Sequence, residues 1–260
     1  MTYPLLAYEN EAFVTGPDGR PIRMLAEYLA PLHALRRAGI VDTVVFFGSA
    51  RMSAQGRLGH YYEEARQLAA AVTRWAHTLS PDGSRLVVSS GGAGGIMEAA
   101  NRGACEAGGR TIGFNIGLPR EQRPNAWVEH GLSFEFHYFF MRKLWFAHLA
   151  RAVIVFPGGF GTLDELFEML TLRQTGKLGR DVCILLYGTE YWDRVLNLSV
   201  LSEEGMIDPP CLELLHKVNS VEEAMQCLRQ RVVLDDGDAR PSIAPSTTPH
   251  DRMQEKQHGD

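Results

Sequence analysis

Cysteines are few in this 260-residue chain, and their arrangement excludes two classes of protein. The four cysteines, Cys105, Cys183, Cys211 and Cys227, have no spacing typical of a metal site and form no paired framework. We therefore predict reduced thiols, with no disulfide scaffold and no bound metal, as in a cytoplasmic protein.

Long apolar runs and an excess of basic residues are also missing. No apolar stretch approaches the roughly 20 residues that cross a membrane, and the N-terminus lacks the basic, apolar and small-residue pattern of a leader peptide. The formal net charge is −5, which argues against broad binding to nucleic acid or membranes. We expect a cytoplasmic protein with a small-molecule partner, and a local basic pocket for a phosphate is compatible with this charge.

What the chain does have is a regular alternation of strand and helix patterns. This alternation predicts an α/β fold: one doubly wound, Rossmann-like parallel sheet with the strand order 3-2-1-4-5. The five predicted strands lie at 43–47, 85–89, 110–114, 152–156 and 181–187, with further extended segments at 132–137 and 214–218. The predicted helices lie at 24–38, 61–79, 96–106, 139–150, 191–201 and 221–230, with another that starts at Thr162.

The two ends of the chain differ from this pattern. Residues 1–234 are predicted to form one nucleotide-binding domain with an N-terminal helical arm, whose residues 1–23 lack a clear period and are expected to be irregular. From 235 to 260 the chain loses its apolar residues and becomes rich in Asp, Pro, Ser, Thr and Gln. Such a composition buries too little apolar area to fold, so we predict a disordered tail.

Three short loops of small residues follow predicted strands: Gly48 to Ala50, Gly91 to Gly95, and Gly158 to Thr162. In a parallel sheet they share the carboxyl edge, where ligands bind, and glycine turns at helix N-termini hold phosphate. The loops therefore predict a nucleotide or sugar-phosphate site. The dinucleotide fingerprint is absent because its third glycine is Met97, and no Gly-Lys-Ser/Thr of a P-loop occurs, which disfavours NAD binding and ATP hydrolysis.

Acidic residues follow the third loop closely. Thr162 and Glu165 have the spacing of a capping box, in which Thr162 caps a helix and Glu165 bonds back to its N–H. Spacing alone favours this structural interpretation, with Asp164 and Glu168 as solvated or dipole-favoured acids. Because carboxylates repel a bound phosphate, a separate chemical role for one of them is the alternative.

The helix predicted at 139–150 is apolar on nearly all sides, yet it contains Arg142 and Lys143. A helix of this kind is buried, and buried cations need anionic partners. Extension of both side chains to the surface is the alternative, less favoured for Arg142. For Glu98, after the second loop, a dipole-favoured acid and a ligand contact are weighed equally.

The segment from Pro157 to Glu165 matches, at every fixed position, the signature Pro-Gly-Gly-x-Gly-Thr-x-x-Glu. With Met141-Arg142-Lys143 upstream, the chain resembles the Lonely Guy (LOG) family from about Val44 to Trp192. Those proteins are cytokinin riboside 5′-monophosphate phosphoribohydrolases, often mislabelled as lysine decarboxylases. This chain has only four lysines, none in a recognisable Schiff-base motif, and we predict no cofactor.

The resemblance also implies the site residues. The family's catalytic pair falls on Arg142 and Glu165. Its nucleotide contacts fall on Lys143, Gly158, Gly159, Gly161, Thr162, Glu121 and Thr171. From the first two loops we add, as candidate contacts, Ser49, Gly92, Gly94, Gly95 and Glu98.

The resemblance favours hydrolysis of the N-glycosidic bond of a nucleoside 5′-monophosphate, with release of adenine or an N6-substituted adenine of cytokinin type. In this hypothesis Glu165 stabilises an oxocarbenium-like sugar and positions or deprotonates water. Arg142 either keeps Glu165 ionised or stabilises the developing charge, and both roles stay open. Departures from plant members in the segment from Gly91 to Glu98 leave the base undetermined.

Two other functions compete with hydrolysis. The glycine loops are similar to those of molybdenum cofactor carriers, so a non-catalytic nucleotide or molybdenum-cofactor carrier is the alternative. A carrier does not need both Arg142 and Glu165. A DNA-processing relative is disfavoured by the acidic charge balance. We also expect at least a homodimer, because the family is usually dimeric and the aromatic-rich region 134–146 exceeds what one domain edge needs.

Overall fold

The apolar runs pair into one parallel sheet of seven strands in the part of the chain that this computed structural model describes, residues 4–118, 123–178 and 180–234. The predicted disordered tail lies outside these residues. The strand order β4-β3-β2-β1-β5-β6-β7 confirms the parallel, doubly wound fold, because the five predicted strands stand in the order 3-2-1-4-5 and one further strand lies at each edge. The strands are β1 (Thr43–Phe47), β2 (Val87–Ser90), β3 (Thr111–Ile116), β4 (Ser133–Phe136), β5 (Ala150–Val155), β6 (Cys183–Tyr187) and β7 (Leu215–Val218).

Helices connect the strands and cover both faces of the sheet. They are α1 (Glu11–Thr15), α2 (Arg20–Arg37), α3 (Gly59–Leu79), α4 (Ile96–Glu106), α5 (Phe139–Leu149), α6 (Phe160–Gln174), α7 (Thr189–Val195), α8 (Ser199–Glu203) and α9 (Val221–Arg231). Short 3-10 turns lie at Ala7–Glu9, Pro17–Gly19, His130–Leu132 and Pro209–Leu214.

Alternate residues of the central strand β1 enter two separate cores. Val45 and Phe47 pack in the core beneath α2, α5 and α6, whereas Val44 and Phe46 pack in the core beneath α3, α4 and α9. All of these β1 side chains are almost fully buried. A strand covered on both faces is apolar throughout. For this reason β1 stands in the sequence as a continuous apolar run without alternation.

Two of the predicted segments, the N-terminal arm and the second strand, differ from the structure. The arm predicted to be irregular is largely helical, because the Asn10 side chain caps α1 by accepting from the Phe13 amide at 3.2 Å. Pro21 lies in the first turn of α2, where its fixed φ favours a helix start. The second strand begins only at Val87, because Leu86 has a φ of +50° and donates its amide to buried Asp42 at 2.6 Å.

The helix predicted at 191–201 is also wrong in its extent, because the structure has two short helices, α7 and α8, in its place. Leu196 is extended between them. The Ser199 hydroxyl donates to the Asn197 side chain at 2.9 Å, a local contact that competes with helix formation.

The sheet has its topological switch point between β1 and β5. The helix after β1 covers one face, and the helix after β5 covers the other, which is the arrangement that forms a ligand crevice at the carboxyl edge of open parallel sheets. Within the described ranges, no helix is both long enough and apolar enough to cross a bilayer.

Candidate active site

Hydrogen bonds tie the three glycine-containing loops to one another at the carboxyl edge. The Ser49 amide donates to the Pro157 carbonyl at 3.1 Å, and the Ile96 amide donates to the Ser49 carbonyl at 3.1 Å. The loop after β1 therefore bridges the loops that precede α4 and α6. The Ser49 hydroxyl accepts a bond from the Arg51 amide at 3.1 Å. Loops that lie far apart in the sequence thus share one edge of the crevice.

Glycine is present in these loops for two different reasons. At Gly158 a Cβ atom would lie 2.1 Å from Thr162 Oγ1, and at Gly95, where φ is +66°, it would lie 2.1 Å from the Ser49 carbonyl oxygen. These two glycines serve the protein's own packing. At Gly159 and Gly161 a Cβ would meet no atom within 4 Å, so this side of the α6 N-terminus is open. Open backbone at a helix N-terminus suits a phosphate.

The capping-box interpretation of Thr162 and Glu165 is wrong. Helix α6 begins at Phe160 with Gly159 as its N-cap, so Thr162 lies inside the helix and is buried. Gly159 is extended, and its carbonyl accepts the Leu163 amide at 3.0 Å, which starts the helix before Thr162. The Glu165 carboxylate is therefore available for a contact outside its own helix.

That contact is an ion pair with Arg142 of α5. Arg142 Nη2 lies 2.8 Å from Glu165 Oε1, and the two side chains are only 10% and 12% exposed. The guanidinium carbon lies 5.5 Å from the Phe139 ring centroid and 5.7 Å from that of Phe146, within cation–π range. Arg142 Nη1 is 3.9 Å from the position that a Cβ would take at Gly91, so the pair lies beside the second glycine loop.

Burial controls the protonation of Glu165. Loss of hydration raises its pKa from 4.5 to about 7, although the charges of Arg142 and Lys143 act in the opposite direction. Nearby Asp164 raises the pKa further. A carboxyl group with a pKa near 7 exchanges protons at neutral pH, which is the property of a general base.

Lys143 forms ion pairs with the other two acids of the helix. Its Nζ lies 2.7 Å from Asp164 Oδ1 and 3.5 Å from Glu168 Oε2. Burial lowers the pKa of Lys143, but the hydrogen bond to Asp164 and the charges of both carboxylates outweigh it, so the pKa is raised. The three acids of α6 therefore face two cations of α5, which reduces the repulsion that a bound phosphate would meet.

Sequence reasoning missed the residue that braces the second loop. The Asn125 amide donates to the Gly92 carbonyl at 2.8 Å, and Asn125 Nδ2 donates to the Gly92 and Ala93 carbonyls, both at 3.0 Å. The same Nδ2 lies 2.9 Å from Asn101 Oδ1, which also accepts the Ser90 hydroxyl at 2.7 Å. No motif marks Asn125, which follows a proline in a long connection.

Two further contacts support the site and also lack a sequence signal. Tyr191 Oη donates to the Gly158 carbonyl at 2.7 Å, which fixes the third loop from the side of α7. The Glu27 carboxylate accepts the amides of His137 at 2.8 Å and Tyr138 at 3.2 Å, and so holds the start of α5. Arg142 lies one turn later on that helix.

Three of the remaining predicted contacts lie at the second glycine loop, and Thr171 does not. Gly92 and Gly94 belong to the second loop, and the Glu98 carboxylate is next to Gly94, with Oε2 4.0 Å from its Cβ position. Thr171 is exposed and lines a cavity of about 270 Å³ along α6. No residue of the glycine loops lines this cavity, so Thr171 lies apart from them. Glu121 lies outside the described residues. Across the described ranges, His, Cys, Asp and Glu side chains form no group suited to a metal ion.

Comparison with known proteins relates this chain to one family. A family model described as "Possible lysine decarboxylase" matches residues 97–228. Over 179 residues the chain is 31% identical to a cytokinin riboside 5′-monophosphate phosphoribohydrolase of Rhodococcoides fascians. That alignment covers 67% of this chain and 84% of the relative.

Solved structures share the fold at lower sequence identity. The X-ray structure of the structural genomics target TM1055 superposes with a TM-score of 0.52 at 23% identity, over 73% of this chain and 99% of that one. A molybdenum cofactor binding protein from the phototrophic bacterium Rippkaea orientalis gives a TM-score of 0.50 at 18% identity, over 75% and 98%. At these identities the likeness establishes the fold alone.

Proposed function

The chain belongs to the Lonely Guy (LOG) family, and on that premise we propose that it is a cytoplasmic nucleoside 5′-monophosphate phosphoribohydrolase. The proposed reaction adds water across the N-glycosidic bond and yields a free base and ribose 5-phosphate. The base is adenine or an N6-substituted adenine, a choice supported by the name of the Rhodococcoides relative.

The observation that carries this proposal is the buried pair of Arg142 and Glu165. Cleavage of an N-glycosidic bond passes through an oxocarbenium-like sugar, which a carboxylate stabilises. Glu165 has a pKa of about 7, so it is partly ionised at neutral pH and accepts a proton readily. Arg142, at 2.8 Å, favours the ionised form and fixes the orientation of the carboxylate.

The phosphate group has a natural position at the start of α6. Gly159 and Gly161 leave their backbone open on one side, and the dipole of a 15-residue helix favours an anion there. Lys143 offsets the charges of Asp164 and Glu168. With the phosphate at this end, the sugar lies over the crevice toward Glu165.

The chemical step then follows from the residues of this chain. The bond between C1′ and the base nitrogen breaks, its electron pair leaves with the base, and positive charge develops on the sugar. The departing base takes up a proton from solvent, so that it is released as a neutral molecule. Glu165 is close to this charge and takes a proton from the water that attacks C1′. Arg142 holds Glu165 in place during the step, and the low exposure of both side chains strengthens their electrostatic effect on the sugar.

Amino-acid decarboxylation, which the name of the family model suggests, has little support from the lysines. A lysine that forms a Schiff base needs a lowered pKa, so that its amine is neutral. The pKa of Lys143 is raised, and its ammonium is engaged with Asp164 and Glu168. Lys217 is likewise paired with Asp193.

A panel of nucleoside 5′-monophosphates tests the proposal directly. The purified protein is incubated with AMP, N6-substituted AMP, GMP, CMP and UMP, and the release of free base is followed by chromatography. We expect base release from at least one adenine nucleotide. Binding of a nucleotide without any base release would instead favour the carrier function, and release of a different base would correct the substrate.

A further inference from the structure

Glu98 occupies a special position at the mouth of the second glycine loop. It lies in the first turn of α4, and its Oε2 is 4.0 Å from the position that a Cβ would take at Gly94. Tyr62 Oη, from α3, donates to Glu98 Oε1 at 3.4 Å. Tyr62 therefore holds one oxygen of the carboxylate, and the other oxygen lies toward Gly94, the partly exposed glycine of this otherwise buried loop.

The charge of Glu98 sets this loop apart from the loop before α6. Each of the three α6 acids, Asp164, Glu165 and Glu168, has a cation within 3.5 Å, whereas no ion pair to Glu98 is found among the described residues. A carboxylate without a direct ion pair repels a phosphate. It attracts hydroxyl groups, with which it forms charge-assisted hydrogen bonds. The two glycine loops therefore suit different parts of one nucleotide.

We propose that Glu98 is a specificity-determining residue that accepts hydrogen bonds from the ribose hydroxyls, so that the site selects ribonucleotides over deoxyribonucleotides. The proposal rests on the proposed function and adds the sugar to it. The phosphate lies at the open Gly159 and Gly161 backbone, and the sugar hydroxyls face the second loop. In dinucleotide-binding folds, an acidic residue near the carboxyl edge of the parallel sheet likewise accepts hydrogen bonds from ribose hydroxyls.

The test compares three substrates in two proteins. Rates of base release, as kcat/KM, are measured for AMP, 2′-deoxy-AMP and 3′-deoxy-AMP with the wild type and with Glu98→Ala. The quantity of interest is the AMP-to-deoxy ratio in the wild type divided by the same ratio in the variant, because this quotient cancels the intrinsic reactivity of each sugar. Loss of a hydrogen bond to a charged group predicts a quotient of about 10 or more for at least one hydroxyl.

Two controls keep the result interpretable. Glu222→Gln alters an exposed acid in the first turn of another helix, α9, and should leave the ratio unchanged. If Glu98→Ala melts at a lower temperature than the wild type, Glu98→Gln is used in its place, because glutamine keeps the side-chain volume. A quotient within twofold of 1 in a folded Glu98 variant, with an active wild type, overturns the inference and leaves the proposed function intact.

Failure of the proposed function gives a different result. If the wild type releases no base from any nucleotide, the same quotient is measured from binding constants of the three nucleotides by calorimetry. A quotient of about 10 then supports the role of Glu98 in a carrier. No binding at millimolar nucleotide overturns both proposals.

Discussion

The raised pKa of Glu165 predicts how the stability of the protein depends on pH. The difference between 4.5 and about 7, at roughly 1.4 kcal/mol per pH unit, corresponds to about 3 kcal/mol. Because the folded protein holds the proton more tightly than the unfolded chain, this contribution is fully present below pH 4.5. It is lost as the pH rises to about 7.

Glu165→Gln provides the reference, since glutamine has a similar size and does not titrate. The free energy of unfolding, measured by denaturant titration from pH 4.5 to 8, should be similar for both proteins at the acid end. At pH 8 the variant should be more stable than the wild type by up to about 3 kcal/mol. The kcat/KM for AMP should rise with pH to a midpoint near 7, above the second phosphate ionisation near pH 6.

Two results would refute this reasoning. A stability difference between the proteins that is constant from pH 4.5 to 8 would mean that Glu165 titrates normally. An activity limb with its midpoint below pH 5 would have the same meaning, because it would assign the base an ordinary carboxyl pKa.

Three further predictions concern other parts of the molecule. Arg142→Ala should abolish turnover in a protein that still melts cooperatively, and Arg142→Lys should lose at least about 10-fold in kcat/KM because a flexible ammonium replaces the planar guanidinium that contacts Glu165 and the aromatic rings; full activity of either would contradict the proposed role. Asn125→Ala should raise KM and lower the free energy of unfolding by about 1–3 kcal/mol, because it leaves buried carbonyls of the second loop with fewer donors; calorimetry and kinetics that match the wild type would exclude the bracing role. Light scattering at micromolar concentration should give at least a homodimer, because Phe140 and Leu144 are 46% and 39% exposed on the outer face of α5; a monomer would count against it.

Much of the fold follows from local patterns in the sequence. The predicted ends of strand β1 and of helix α4 agree with the structure, because a doubly buried strand is a short, continuous run of β-branched and aromatic residues and an amphipathic helix has a helical apolar period. The glycine loops were placed by the rule that parallel strands end at one edge, and Ser49 indeed joins the loops there. The proximity of Arg142 and Glu165 was implied by the family resemblance.

The contacts that the sequence left unpredicted are long-range ones. Asn125 lies 33 residues from Gly92, and Tyr191 lies 33 residues from Gly158, so no spacing rule connects them. The cap of α6 was misassigned because Thr162 and Glu165 satisfy a local motif. Gly159, with its extended backbone, is instead the N-cap, so the helix starts at Phe160, two residues before Thr162. In that case the backbone conformation of the loop, and not the local capping motif, determines where the helix begins.

The central claim is that the Glu165 carboxylate carries the hydrolysis, and Glu165→Gln tests it most directly. Base release from AMP or an N6-substituted AMP is measured for the wild type and the variant at pH 8, with thermal melts of both. We predict a loss of about 100-fold or more in a variant that remains folded, with little change in nucleotide affinity, since the backbone at the start of α6 is intact. Full activity in a folded Glu165→Gln protein would contradict the claim.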